Sequence, residues 1–450
     1  MNDYPNMIVI VLDTLRKDAL PVYGGKSITP NLEKFSQDSV VFQNAIAPSS
    51  WTVPSHVSIF TGLYPRKHGV HEDFEGGPRG IFRKLHEFRG NAITKKLKDF
   101  GYNTLGLSAN GQISPGTGFE NFFDNLSYYS SDYSSSDYRS QMNEIFRLGR
   151  SKIQIVRNSL MKGKVKDRIR FYASRKDYLM RRKILNYPLM KGADNIVETL
   201  INSHYGTPLF LFLNFVEVHE PLCKWEIRDG SRMHRDLIGF NRISESRILQ
   251  VKENYIQALS NLDKQIGRLF YDLKQRKIYD DSLIIVTSDH GQSMKENRKF
   301  PYYGHGNFVY DELTNVPLIV KLPGNKKIKQ KQGYQSLTKI PKLIESVFEG
   351  NDEFDISEKA VFSESYGYSD NYYNSIKSGS LFPKGIDMNE IRSRYFYPRR
   401  AVYKDGSKLT VNQLTGEIDE FLFNGKDVSP ENKKSIVEDL SNELMIFSSN

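Results

Sequence analysis

Three continuous apolar runs constrain this chain more than any other feature: Met7–Leu12 (MIVIVL), Leu209–Val216 (LFLFLNFV) and the core of Asp281–Ser288 (DSLIIVTS). Each is strand-sized and does not alternate with polar residues. A strand apolar on both faces must be covered on both faces, as in parallel sheets flanked by helices. Helices are predicted between the runs, from Asn31 to about Ser39, at Ile93–Phe100, at Asp194–Ser203 and along the amphipathic Glu253–Arg276. Thr29-Pro30-Asn31 opens the first by Pro and cap chemistry. Further strands are predicted at Val40–Phe42, Tyr102–Ser108 and Val316–Lys321. This alternation predicts an α/β fold: a doubly wound, mostly parallel central sheet flanked by helices.

From about Ser357 the pattern changes. Ala401–Leu409 with Val411–Phe423 reads as antiparallel hairpins, and Pro430–Phe447 as a terminal helix. The expected division is a catalytic α/β domain over residues 1–355 and a small C-terminal α+β subdomain over 356–450. Hydrophobic residues make up 38% of the 450, enough for a core, which excludes a disordered or collagen-like chain. No apolar run approaches the ~18 residues that span a bilayer. The sequence MNDYPN leads straight into a strand, leaving no room for a signal peptide. The lone Cys223 excludes an intrachain disulfide framework and a cysteine-based zinc knuckle. A cytoplasmic protein is the expectation.

The net charge of +10 is uneven. Ser127–Ser136 is a polar, low-complexity linker, and beyond it Arg139–Gly192 holds 16 Lys/Arg against 3 Asp/Glu, a local +13. The rest of the chain is therefore about −3. Ile145, Phe146, Ile153, Val156 and Leu160 predict helices with charged outer faces within this insertion at 139–192. It is expected beside the active-site mouth, as a solubilising arm or as a docking surface for an anionic polymer, phospholipid head groups or a large phosphate ester. No nucleic-acid motif accompanies the charge.

Asp13, His219 and the pair Asp289-His290 lie just past the ends of predicted parallel strands, where open α/β sheets bind ligands. Carboxylate beside imidazole in TSDHG is a metal-ligand grouping. Thr52 precedes Pro54 by two residues. If Pro54 opens a helix, the Thr52 hydroxyl sits at its positive end, as a plain cap or as an anion-facing group.

Asn6–Asp18 (NMIVIVLDTLRKD), Thr29–Asn31 (TPN), Ala47–Val70 (APSSWTVPSHVSIFTGLYPRKHGV), Leu213–Pro221 (LNFVEVHEP), Asp263–Arg268 (DKQIGR), Ser288–Gly291 (SDHG) and Gly304–Pro317 (GHGNFVYDELTNVP) together resemble the sulfatase family of the alkaline-phosphatase superfamily. The likeness covers roughly residues 5–325. Sulfatases carry C/S-x-P-S-R, whose first residue is oxidised to formylglycine. Here the stretch reads Thr52-Val53-Pro54-Ser55-His56. A threonine could be oxidised only to a ketone, so no formylglycine is expected. What remains is direct attack by the threonine oxygen, as in the phosphoethanolamine- and phosphoglycerol-transferase branch of the superfamily. Sulfatases usually have two adjacent aspartates after the first strand, whereas here Asp13 is followed by Thr14.

The resemblance implies one divalent metal on Asp13, Thr52, Asp289 and His290. Fewer oxygen ligands and a histidine favour Mn²⁺ or Zn²⁺, with Mg²⁺ or Ca²⁺ as alternatives. His219 and His305 match histidines that contact the transferring group, protonate the leaving oxygen or hold a second metal. Asn110, His56 and Arg66 are candidate ester-binding residues, while Asp18 and Asp263 look structural. The expected activity is metal-dependent hydrolysis of sulfate or phosphate esters through an unmodified Thr52. The alternatives are a phospho-group transferase using the same threonine and a non-catalytic anion-binding protein.

Overall fold

The computed structural model describes residues 4–71, 78–88, 90–129, 190–223, 225–226, 243–296, 300–301, 303–325, 333–350, 356–367, 392–393 and 396–449. The helices expected at Ile145–Leu160, and all of the basic insertion before Met190, lie outside these residues.

The chain runs through β1 (Met7–Leu12), β2 (Val40–Ile46), β3 (Asn103–Ser108), β4 (Asn125–Tyr128), β5 (Leu209–Phe215), β6 (Leu283–Thr287), a short ribbon of β7 (Ser293–Met294) and β8 (Tyr303–Gly304), then β9 (Asn315–Lys321), β10 (Tyr334–Ser336) and β11 (Ser357–Glu358). Nine of these form one sheet in the order β11-β10-β2-β9-β6-β1-β5-β3-β4. β6, β1, β5, β3 and β4 are mutually parallel, and β2 pairs in parallel with β10. β9 runs antiparallel between β6 and β2, and β11 antiparallel to β10. The result is a large, mostly parallel sheet.

The sheet is covered on both faces, as the continuous apolar runs require. Ile8, Ile10 and Leu12 pack with Leu211, Leu213 and Ile284 against α4 (Ala193–Ile201) and α5 (Glu245–Gln275). Met7, Val9 and Val11 point the other way, with Phe212 and Ile285, against α2 (Thr52–Thr61), α3 (Ile93–Asp99) and α6 (Ile340–Phe348). The Cβ atoms of a strand alternate between its faces, so one run feeds two cores. Asp263, on α5, accepts the Asn31 and Leu32 N–H groups at 3.1 and 2.8 Å and so caps α1 (Pro30–Gln37). This is the structural role expected of it.

Two elements exceed their predicted length by a turn or more of chain, α5 and β2. α5 begins eight residues before Glu253, because Ser244 accepts the Arg247 N–H and caps a polar first turn. β2 continues past Phe42 through a register shift that falls between Phe42 and Ala45.

β12 (Val361–Ser365), β13 (Arg399–Lys404), β14 (Ser407–Asn412), β15 (Ile418–Phe423) and β16 (Lys426–Asp427) form a separate antiparallel sheet, covered by α7 (Lys434–Ser449). Among the described residues no helix is long and apolar enough to cross a membrane.

Candidate active site

The parallel strands end at one edge, tied together there by backbone bonds such as Asp13 N–H to Phe215 O (2.8 Å) and Ala109 N–H to Asn214 O (2.9 Å). Each exit carries a polar residue: Asp13 after β1, Asn110 after β3, His219 after β5, and Asp289-His290 after β6. Asp13, Asp289 and His290 are fully buried, and one ligand atom of each lies within 4.8 Å of the other two. His290 Nε2 is 3.4 Å from Asp289 Oδ2 and 4.0 Å from Asp13 Oδ1.

Hydrogen bonds on the far side aim each group inward. Asn110 Nδ2 donates to Asp13 Oδ2 at 2.6 Å. Asp289 Oδ1 accepts from the N–H groups of His290 (3.0 Å) and Thr14 (3.4 Å). His290 Nδ1 lies 2.9 Å from the Gly291 carbonyl, so it carries the proton and Nε2 keeps its lone pair. Asp13 Oδ1 and Asp289 Oδ2 are buried without a hydrogen-bond partner among the described residues. Burial, aided by the neighbouring Asp289, pushes Asp13 up to about 6. Burial pushes Asp289 up to about 7 and His290 down to about 4. Two carboxylates and a neutral imidazole thus converge, a donor set that fits a divalent ion.

Thr52 is the first residue of α2, and its Oγ1 lies 3.3 Å from His290 Nε2. Trp51, with extended φ/ψ of −141° and 149°, is the N-cap. Pro54 therefore sits third in the helix, where a missing N–H costs no intrahelical bond, and not first as expected. The Thr52 side chain lies at the positive helix end, as predicted from an adjacent position.

His56, one turn on, is fully buried between Phe119 and Phe212. Its Nδ1 donates to Thr52 O at 2.8 Å and its Nε2 accepts from Asn214 Nδ2 at 3.2 Å. Both nitrogens are engaged with the protein, so His56 backs Thr52 and does not face an ester. Asn110 is likewise committed, to Asp13 and, through Oδ1, to the Gln112 N–H at 2.8 Å. Arg66 points to the C-terminal helix: its Nη2 donates to Ser448 O at 2.6 Å and its guanidinium lies 5.1 Å from the Phe447 ring centre. Closeness in sequence to Thr52 does not bring Arg66 to the carboxylates, because the chain turns away at Gly62 after α2.

His219 and His305 are half-buried, with their Nε2 atoms 3.2 Å apart. His219 Nδ1 is 2.6 Å from Glu220 O, and the His305 ring centre is 4.5 Å from that of His290. The His305 ring thus neighbours both other imidazoles, its centre 5.0 Å from that of His219. Sequence reasoning missed three supporting residues. Thr14, at φ 61°, is a β-branched residue in the left-handed region, pinned through its hydroxyl to Asp13 O at 2.6 Å. Asn214 carries His56. Ser288 joins Leu15 N–H to His290 O, at 2.9 and 2.6 Å. All three lie in stretches that carry the family resemblance, Thr14 in Asn6–Asp18, Asn214 in Leu213–Pro221 and Ser288 in Ser288–Gly291, but nothing there signals their contacts.

The family model described as Sulfatase matches residues 5–347. The chain belongs to the sulfatase family of the alkaline-phosphatase superfamily. It is 24% identical over 359 residues to the iduronate 2-sulfatase of Homo sapiens, covering 72% of this chain and 60% of that protein. It is 23% identical over 354 residues to an arylsulfatase of Clostridium perfringens, covering 71% and 69%. The chain thus spans about 60% of the length of the first curated relatives it matches. The phosphonate monoester hydrolase of Agrobacterium radiobacter shares the fold, with a TM-score of 0.62 at 16% identity over 99% of this chain and 95% of that one.

Proposed function

We propose that this protein is a metal-dependent hydrolase of sulfate or phosphate esters acting through an unmodified Thr52. One observation carries the reading: Asp13 Oδ1, Asp289 Oδ2 and His290 Nε2 converge as buried, inward-aimed lone pairs, with the Thr52 hydroxyl at 3.3 Å from the last. Asp13, Asp289, His290 and Thr52 would hold one divalent ion. Such an ion lowers the pKa of a coordinated hydroxyl and neutralises charge on an ester oxygen. Thr52 gives up its hydroxyl proton to solvent, and its Oγ1 attacks phosphorus or sulfur in line, forming a covalent ester as the bond to the alcohol oxygen breaks. His305 or His219 supplies the proton to the leaving oxygen. Water then releases the acid from Thr52. The relatives' sulfatase names and the hydrolase fold support the ester class. Thr52, unable to become an aldehyde, favours the phosphate esters within it. Lys191, at the described end of the basic segment, donates through Nζ to His219 O. The +13 of that segment favours anionic substrates.

Screening the purified protein on aryl sulfate, aryl phosphate and bis-aryl phosphodiester, with Mn²⁺, Zn²⁺, Mg²⁺ and Ca²⁺ in turn, tests this. Turnover is expected for at least one ester, and the Thr52 peptide should have its unmodified mass. No turnover of any ester with any ion, or an oxidised Thr52, overturns the proposal.

A further inference from the structure

His305 lies between two glycines with positive φ, Gly304 at 131° and Gly306 at 102°. Glycine on both sides leaves the chain with little conformational preference of its own, so the loop alone does not aim the imidazole. Beside the His219 contact, a restraint comes from the C-terminal sheet. Ser365 Oγ, at the end of β12, donates to Gly306 O at 2.6 Å in a buried contact. Lys408 Nζ, on β14, donates to Val309 O at 2.6 Å, and the Arg399 guanidinium lies 4.5 Å from the Phe308 ring centre. The end of β12 also holds the other catalytic loop, since Glu364 N–H donates to Pro48 O at 2.9 Å, four residues before Thr52. Neighbouring residues of one strand therefore grip the Thr52 loop and the His305 loop.

We infer that Ser365 is a positioning residue that sets His305 against Thr52, so that His305 protonates the leaving alcohol. The inference rests on the proposed ester hydrolysis and deepens it by choosing His305 as the acid. A residue that acts through the acid matters most when the leaving group is poor.

The test compares kcat and KM of the wild type, Ser365→Ala, Ser365→Thr and His305→Ala on aryl esters of the class turned over, from nitrophenol to unsubstituted phenol. Ser365→Ala is expected to lose on the order of tenfold in kcat for the poorest leaving group, part of the 10²–10⁴ that general acids supply. It should lose less than about twofold for the best, at unchanged KM. His305→Ala should show the same steepening, larger, and Ser365→Thr, which keeps the hydroxyl, should restore the wild-type slope. Thermal unfolding of each variant separates a folding defect from this pattern. An equal loss across all leaving groups, or none, in Ser365→Ala while His305→Ala steepens the series overturns the role of Ser365 alone. A flat series in His305→Ala overturns His305 as the acid as well, and leaves the Thr52 step to be judged by Thr52→Ala.

Discussion

In the C-terminal sheet each deeply buried charge faces its opposite. Arg399 Nε meets Asp419 Oδ2 at 2.5 Å with both side chains 1% exposed, and Lys408 pairs with Glu420 across β14 and β15. At the carboxyl ends of β1 and β6 the arrangement is reversed. Asp13 and Asp289 are as deeply buried, yet they face each other across a neutral His290. Both regions pay desolvation. In the first a buried acid meets a buried base; in the second two buried acids share one neutral imidazole, the arrangement that the proposed ion would complete.

Substitutions should separate the two regions by what they damage. The largest effect is expected at Thr52. Thr52→Ala should lower kcat by on the order of 10³-fold or more while the melting temperature stays within a few degrees. Steady-state assay beside thermal unfolding checks this, and wild-type turnover in the variant would remove Thr52 from the mechanism. Next is Asp419→Ala, which strands the Arg399 guanidinium inside the sheet. It should cost about 3–5 kcal/mol of stability, measured by chemical denaturation. A loss below about 1 kcal/mol would mean that the pair is no more than a surface contact.

Metal removal gives a smaller effect, and its pH dependence has a definite sign. In the ion-free protein Asp13 titrates at about 6 and Asp289 at about 7, against 3.8 for an ordinary aspartate. As pH rises from about 4 to about 7, the unfolded chain has lost these protons and the folded chain still holds them. Stability of the chelated protein therefore falls over that window. A divalent ion takes the place of the protons, so the gain in melting temperature on adding Mn²⁺ should grow from pH 5 to pH 8. At a hundredfold excess over Kd the gain is about 2.7 kcal/mol. A gain that is flat or greatest at pH 5 would show that these carboxylates do not bind the ion.

The same contrast explains what was legible in the sequence. The runs that became β1, β5 and β6 were readable because full burial leaves an uninterrupted apolar signature. The polar residues at their ends were readable because Asp and His directly after a buried apolar run stand out in the sequence. Strand direction was not: Val316–Lys321 looks like the other runs, yet it lies antiparallel as β9, and composition does not encode polarity. Nor were the partners of His56, Asn110 and Arg66. Those are set by contacts with Asn214, Asp13 and Ser448, 158, 97 and 382 residues away. Sequence proximity to Thr52 carries no information about such contacts.

The smallest predicted effect concerns a histidine outside the carboxylate cluster. His68, 7% exposed, has its Nδ1 accepting the Val70 N–H at 3.0 Å and its Nε2 lying 3.1 Å from Ser58 Oγ. Burial, with His71 nearby, holds it down at about 3, against 6.5 for an ordinary histidine. Below pH 6.5 the unfolded chain takes up a proton that folded His68 refuses. Its contribution to stability is therefore lost as pH falls from about 6.5 toward about 3, at up to about 1.4 kcal/mol per pH unit. This limb runs opposite to that of Asp13 and Asp289. Mn²⁺ should leave it unchanged, because the ion displaces carboxylate protons and does not touch His68. His68→Gln cannot charge, so the slope of stability against pH between 6.5 and 4.5 should be shallower by about one proton, whatever the variant loses at pH 7. Denaturant titrations at half-unit pH intervals measure that slope. An unchanged slope in His68→Gln would show that His68 is protonated in the folded protein, and that its bonds to Val70 and Ser58 do not hold it neutral.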